Sequence, residues 1–383
     1  MRYLYRVDIL PDMNINDHTD WLEIDLGAFK RNIAKMNEIT GKPVMAVIKA
    51  NGYGHGLAEI ARAALYGGAA ICGVARVEEA FRIRRKGIHG KMLVMGGAMT
   101  DHIPFALAED VSLTISDPVT ARAFSNEAVR LGGKIHVHAK IDSGMNRLGV
   151  PSEQGVEFMK LLKTLPGLQV DGVFTHFARA DEVNAGTTEQ QLERFNKFLV
   201  ELRQVGLVPA QVHAANSAAS LFFPAARFDM VRPGIALFGI NPAEDAVLPD
   251  GFTPVLQWKT RLISIKDIPA GCGVSYGHRY TTTKTERVGV IAVGYADGFR
   301  RVDGNRVLIR GKYAPVLGNI CMDQCMISLD NIPEAQMEDE VVLIGSQETR
   351  QISAEMVAHS WGTIAYEVIC GLTARLPRIY RDD

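Results

Sequence analysis

The chain has 383 residues, 47% hydrophobic and 22% charged, which is a globular composition and excludes a disordered, collagenous or coiled-coil protein. Forty-two basic side chains against 43 acidic ones leave a net charge of -1, so no global field draws it to nucleic acid or to an anionic membrane surface. A small ligand held locally is expected, and the length favours two domains.

Met1–Asp20 mixes charged and apolar residues without an apolar core of signal-peptide length. No run of about 18 apolar residues could span a bilayer, so a cytoplasmic protein is expected. The five cysteines (Cys72, Cys272, Cys321, Cys325, Cys370) are odd in number and irregularly spaced, which suits reduced thiols. Cys321 and Cys325 lack a companion His or Cys cluster, so no metal site is expected.

From Ile24 to Thr40 apolar residues recur at Leu26, Phe29, Ile33 and Met36, with Asp25 placed to cap a helix. Val44–Ile48 then reads as a strand buried on both faces, delivering Lys49 into the glycine-rich turn Gly52, Gly54, Gly56. A lysine there is paired, solvated or neutralised, and one with a lowered pKa is the kind that forms Schiff bases. Strands are further expected at Ala70–Val74, Met92–Met95, Val111–Ile115, Lys134–Ile141, Gln169–Phe174, Gln211–His213 and Phe228–Val231, separated by helical patterns. Eight strands alternating with helices over roughly 200 residues predict an α/β fold with an N-terminal (β/α)8 TIM-type barrel. A doubly wound open sheet is the alternative, but no G-x-G-x-x-G follows the first strand. After Asn241 the texture changes, and Pro242, Pro249, Gly251 and Pro254 mark a linker into a β-rich region. The expected organisation is an extension over 1–20, a barrel over 21–245 and a C-terminal mainly-β domain over 246–383.

Chemistry in such a barrel gathers at the carboxyl ends of the strands. Lys49 and Tyr53 follow the first strand, Arg147 the fifth, His176 the sixth, Asn216 and Ser217 the seventh, and Arg232 and Gly234 the eighth. Barrels often hold a phosphate in the loops after strands seven and eight, where Ser217 can open a helix and Gly234 allows close backbone approach. The implied ligand has a phosphate at one end and a group that reacts with Lys49 at the other, and pyridoxal 5′-phosphate has both. Taken singly, the arginines also read as structural ion-pair partners, His176 as a core histidine and Tyr276 as a β-domain aromatic.

The segments AVIKANGYGHG, KIDSGMNRLG, THFA, HAANSA, MVRPGIALFG, GVSYG, VGYADG, CMDQ and AYEVICG, in this order over about residues 21–380, resemble the alanine racemase family. The resemblance implies a barrel followed by a β-rich domain in a head-to-tail homodimer with shared active sites. It also implies pyridoxal-phosphate-dependent interconversion of L- and D-alanine, an isomerase supplying D-alanine for the bacterial cell wall. By resemblance, Lys49 forms the internal aldimine and is one base, and Tyr276, from the partner chain, is the opposing base. Arg147 would bond the cofactor's phenolic oxygen and contact substrate, His176 would flank the ring, and Arg232 would face its nitrogen. Tyr53, Asn216, Ser217, Gly234, Ile235 and Tyr366 would hold the cofactor, largely through its phosphate. Met322 would meet the substrate carboxylate, with Asp323 and Tyr295 at the entrance, and Lys140 is a candidate for carbamylation. Asn319 stands where many relatives carry arginine, and the first twenty residues have no counterpart. Alternative expectations are a racemase for serine or a broader set, a non-catalytic pyridoxal-phosphate-binding protein, and a decarboxylase of related architecture.

Overall fold

A computed structural model describes residues 18–382; most of the expected extension, residues 1–17, lies outside the described residues. The chain forms two compact units, one spanning Asp25–Val255 and the other combining the segment up to Ile24 with Leu256–Arg381.

In the first unit, the parallel strands β2 (Met45–Val47), β3 (Ile71–Val74), β4 (Met92–Val94), β5 (Ser112–Ile115), β6 (Ile135–Asp142), β8 (Leu168–Phe174) and β9 (Gln211–His213) are hydrogen-bonded in that order. A short strand β7 (Val150–Pro151) adds to the end of β6. The sheet closes on itself through parallel bridges from His213 to Met230 and from Val231 to Val44. The eighth strand, expected over Phe228–Val231, is therefore reduced to two bridging residues; Phe228 has φ 42, which no strand residue adopts. Continuous apolar runs are what a sheet covered on both faces requires, and Met45, Ile71, Leu93 and Met230 pack together inside the closed sheet. Helices alternate with the strands, beginning with Leu26–Thr40 ahead of β2, which Asp25 caps by accepting from Ala28 N at 2.6 Å.

The second unit is an antiparallel sheet in which the 13-residue strand β10 (Leu256–Ile268) pairs with β1 (Asp20–Asp25), with β13 (Glu286–Ile291) and with β17 (Glu340–Gln347). Strands β14 (Arg306–Ile309), β15 (Lys312–Leu317) and β16 (Cys325–Ser328) complete the circuit from β17 back to β13. Residues 21–24, read from sequence as barrel, belong here instead: Trp21 pairs with Lys259 and Ile24 with Leu256. Glu23, buried in that strand, binds Lys259 at 3.1 Å and Arg381 at 3.0 Å. A hairpin of β11 (Gly273–Val274) and β12 (Tyr280–Thr281) projects the turn that carries Tyr276.

Candidate active site

Ile48 ends the first barrel strand by donating its N–H to Gly73 O at 2.8 Å, and the chain then winds the wrong way. Ala50, Asn51, Gly52 and Tyr53 have φ of 54, 57, 62 and 50, a left-handed turn closed by Gly52 N to Ile48 O at 2.9 Å and Gly54 N to Ala50 O at 3.0 Å. For residues with a Cβ this conformation costs about 1–2 kcal/mol each, so it persists only where its surroundings impose it. Glu79 does so by accepting from Ala50 N at 2.6 Å and from the amides of Ala75 and Arg76 at 2.8 and 3.1 Å. Asn51 Oδ1 adds a bond from Leu57 N at 3.1 Å. Lys49, partly buried, thus starts a turn pinned from both sides, and Tyr53 ends it with its ring 5.1 Å from that of Phe238.

Tyr53, Ser217 and Gly234 meet. A Cβ on Gly234 would collide with the Tyr53 hydroxyl, so only glycine fits. Ser217 Oγ accepts from Gly234 N at 2.8 Å and from Ala236 N at 3.3 Å. The helix Ser217–Phe222 is opened by Asn216, whose side chain accepts from Ala219 N at 3.0 Å, rather than by Ser217. Ser217 is thereby left to face the Gly234 loop. Two hydroxyls and the backbone amides of Gly234 and Ala236, here taken up by Ser217 Oγ, are brought to one spot, donor types that suit an anion.

Arg232, 3% exposed, is the hub beneath this loop. Its guanidinium donates to His213 Nδ1 at 2.9 Å, to the carbonyls of Thr175 and Ala214 at 2.8 and 2.9 Å, and to His176 Nδ1 at 3.2 Å. Burial pulls its pKa down to about 9, still a cation at neutral pH. Because arginine can only donate, both histidines must present a bare Nδ1. His213 Nε2 then carries the proton and donates to His138 Nδ1 at 2.8 Å. All three imidazoles are held neutral: burial pushes His138 to about 4 and His176 and His213 well below the usual value, with the Arg232 charge acting in the same direction.

Lys140 is buried with its ammonium 4.8 Å from the Phe174 ring centre, and burial followed by the Arg232 charge lowers its pKa well below the ordinary lysine value. Two residues on, Asp142 Oδ1 accepts from the amides of Gly144, Met145 and Asn146 at 2.9, 2.9 and 3.2 Å, folding the loop that carries exposed Arg147. The charges of Arg232, Lys140, Arg147 and Lys49 all bear on His176, in that order of strength, so these groups converge on one basic mouth.

The remaining candidates lie in the β unit. Tyr276, 72% exposed, follows Ser275 in the hairpin turn, and Tyr366 sits in the helix Ala365–Cys370. Tyr295 and Met322 are neighbours: Tyr295 N donates to Cys321 O at 3.1 Å and Ala296 N to Met322 O at 3.0 Å. Gly294 permits this, since a Cβ there would collide with the Met322 and Cys321 carbonyls. Asp323 binds Arg375 at 2.8 Å, and Arg375 also reaches buried Asp297 at 3.4 Å, tying the two segments together. Glu79, Asp142, His213, Asn319 and Arg375 were not singled out from sequence as site residues. Asp142 and His213 lie inside segments already noticed, and Glu79 stands three residues after the cap position Arg76, where an acidic side chain is common; Arg375 carries no comparable local signal.

The family models "Alanine racemase, N-terminal domain" and "Alanine racemase, C-terminal domain" match residues 24–242 and 255–380. An alanine racemase of Symbiobacterium thermophilum is 43% identical over 364 residues, covering 94% of this chain and 96% of the relative. The solved alanine racemase of Clostridium difficile 630 superposes with a TM-score of 0.90 at 35% identity, covering 96% of each chain. A Bacillus anthracis alanine racemase solved with bound L-Ala-P gives a TM-score of 0.87 at 37% identity, again over 96% of each chain. With a barrel and a β-rich unit matched in order along nearly the whole chain, this protein belongs to the alanine racemase family.

Proposed function

We infer that this chain interconverts L- and D-alanine with pyridoxal 5′-phosphate, the cofactor of its family. The residues present fit that cofactor. The Tyr53, Ser217 and Gly234 cradle offers neutral donors where a Cβ has no room, which suits a phosphate, and Lys49 stands at the strand end of the same unit. Asn216, Ile235 and Tyr366 would complete the expected holding set, with His176 and Arg147 contacting the cofactor from the same mouth. When bound, the cofactor supplies an electron sink for the pair left by the departing α-proton.

The chain's own groups do the rest. Racemisation takes a proton from one face of the α-carbon and returns one to the other, so two bases on opposite faces suffice. We assign these to Lys49 Nζ and to Tyr276 Oη of the partner subunit, in a head-to-tail homodimer. Arg232, fixed by four hydrogen bonds and unable to accept one, could only donate to a ring nitrogen placed against it and would keep that atom unprotonated. The Met322 N–H takes no partner among the described residues and is assigned to the substrate carboxylate, with Tyr295 and Asp323 beside it. Burial and the Arg232 charge lower the Lys140 pKa, which raises the share of neutral amine able to add carbon dioxide, and the resulting carbamate would brace Arg147. No described helix is long and apolar enough to cross a membrane, which agrees with a cytoplasmic place.

The observation that carries this reading is the convergence of Lys49, Lys140, Arg147, His176 and Arg232 at one barrel mouth, beside the Tyr53, Ser217 and Gly234 cradle. Purified protein loaded with pyridoxal phosphate is given each L-amino acid in turn, and D-enantiomer and carbon dioxide are measured. D-Alanine is expected to accumulate to equal parts with L-alanine. Absence of D-alanine overturns the reading, as does a Lys49→Ala variant that keeps both cofactor absorbance and turnover.

A further inference from the structure

The turn that presents Tyr276 is strained at the residue before it. Ser275 has φ 64 and ψ -178, a region essentially reserved for glycine, and His278 follows at φ 44. A serine stays there only if its neighbours impose the conformation. Two bonds to a single residue do so: Ser275 Oγ donates to Asn319 O at 2.5 Å, and Asn319 Nδ2 donates to Tyr276 O at 2.6 Å. The exchange is reciprocal, side chain to main chain in each direction, and it holds the Ser275 side chain and the carbonyl that follows Tyr276, one on each side of the strained step. Gly318 lets Asn319 come this close, because a Cβ at 318 would press on Val274 O and on Ser275 Cβ. Tyr276 is 72% exposed, so within its own unit little packing restrains it, and the backbone is what fixes the direction of its Cα–Cβ bond.

We propose that Asn319 is a positioning residue for Tyr276, locking the strained Ser275 turn so that the phenolic oxygen meets the α-carbon from one fixed direction. This rests on the reading of Tyr276 as a proton-transfer base. Asn319 does not touch the proton; it removes the freedom of the peptide from which the base hangs, and small errors in such geometry cost rate.

The test compares wild type, Asn319→Ala, Asn319→Asp and Ser275→Gly, each loaded with pyridoxal phosphate. It reads kcat, the deuterium isotope effects for α-deuterated L- and D-alanine, and thermal stability. Asn319→Ala and Asn319→Asp both lose the donor, and kcat is expected to fall about tenfold or more. The isotope effect should rise for the enantiomer whose proton Tyr276 takes and fall for the other, a split that loss of stability alone does not produce. Ser275→Gly relieves the strain, so its Tm should hold or rise while kcat drops with the same isotope split. That combination also keeps the test sharp if an Asn319 variant fails to fold. Wild-type kcat with unchanged isotope effects in the variants overturns the proposal, and so does a loss that tracks Tm with both enantiomers affected alike. A Tyr276→Phe variant separates the two levels: full turnover there sinks the two-base reading itself, whereas lost turnover there beside unchanged Asn319 variants sinks only the positioning role.

Discussion

Acid should unfold this protein through the histidine ladder of its barrel. His138 is 2% exposed and its pKa falls to about 4, against an ordinary value of 6.5. The unfolded chain therefore binds a proton that the folded chain refuses, and stability is lost as pH drops from 6.5 towards 4. By pH 5 the gap is about 1.5 units, or about 2 kcal/mol from this residue alone, and His176 and His213 add to it with the same sign. The perturbation is His138→Gln, whose carbonyl can still accept from His213 Nε2 but cannot titrate. Urea unfolding followed by far-UV ellipticity at fixed protein concentration, from pH 7 to pH 5, gives the slope of stability against pH. Tryptophan fluorescence reports the β unit separately, since Trp21, Trp258 and Trp361 all lie there. The variant should lose about one proton's worth of slope, near 1.4 kcal/mol per pH unit at most. Identical slopes for wild type and variant over that window would refute the assignment of His138 as a buried neutral imidazole.

Three further outcomes follow from the same geometry. Ala50→Gly, at an exposed residue with φ 54, should raise stability by about 0.5–1 kcal/mol through strain relief offset by glycine's extra chain entropy, read as a higher urea midpoint; a lower midpoint contradicts the strained turn. Lys140 should take up carbon dioxide in bicarbonate buffer at neutral or alkaline pH and lose it in acid, visible as a reversible mass increase that Lys140→Ala abolishes; a bare amine under all conditions ends that assignment. Arg375→Ala should raise the alanine KM by roughly two- to fivefold with kcat little changed, because it frees Asp323 beside the Met322 amide while the exposed pair itself is weak; an unchanged KM excludes an entrance role.

The barrel was legible because its first strands, such as Val44–Ile48 and Met92–Met95, are apolar runs closed by a turn, a signal contained within about ten residues. The eighth strand was overread: Met230 and Val231 bridge their neighbours, but Phe228 lies off the strand region and Pro233 cannot donate to a ladder. Strand β1 was invisible for the opposite reason. Trp21–Ile24 abuts a well-capped helix, and its pairing partners lie more than 230 positions away at Leu256–Lys259, a match that no local pattern announces. The same division runs through the site. Lys49, Arg147, His176 and Arg232 sit in recognisable segments at strand ends. Their supports are different: Glu79 acts on Ala50 across 29 positions, and Asn319 on Tyr276 across 43, in both cases through a backbone group that any residue carries.

That contrast bears on how the chemistry is held. Lys49 and Tyr276, the two assigned bases, each adjoin backbone that ordinary residues avoid, Ala50 at φ 54 and Ser275 at φ 64. Each departure is imposed by one polar side chain from a distant segment, a carboxylate accepting an amide in the barrel and an amide donating to a carbonyl in the β unit. Strain of this sort does nothing for stability and would drift away without a use, since glycine is available at both positions. What it provides is a base whose backbone has one conformation rather than several. For a reaction in which two groups must address opposite faces of one carbon, a rigid anchor on each side matters more than the nature of either support.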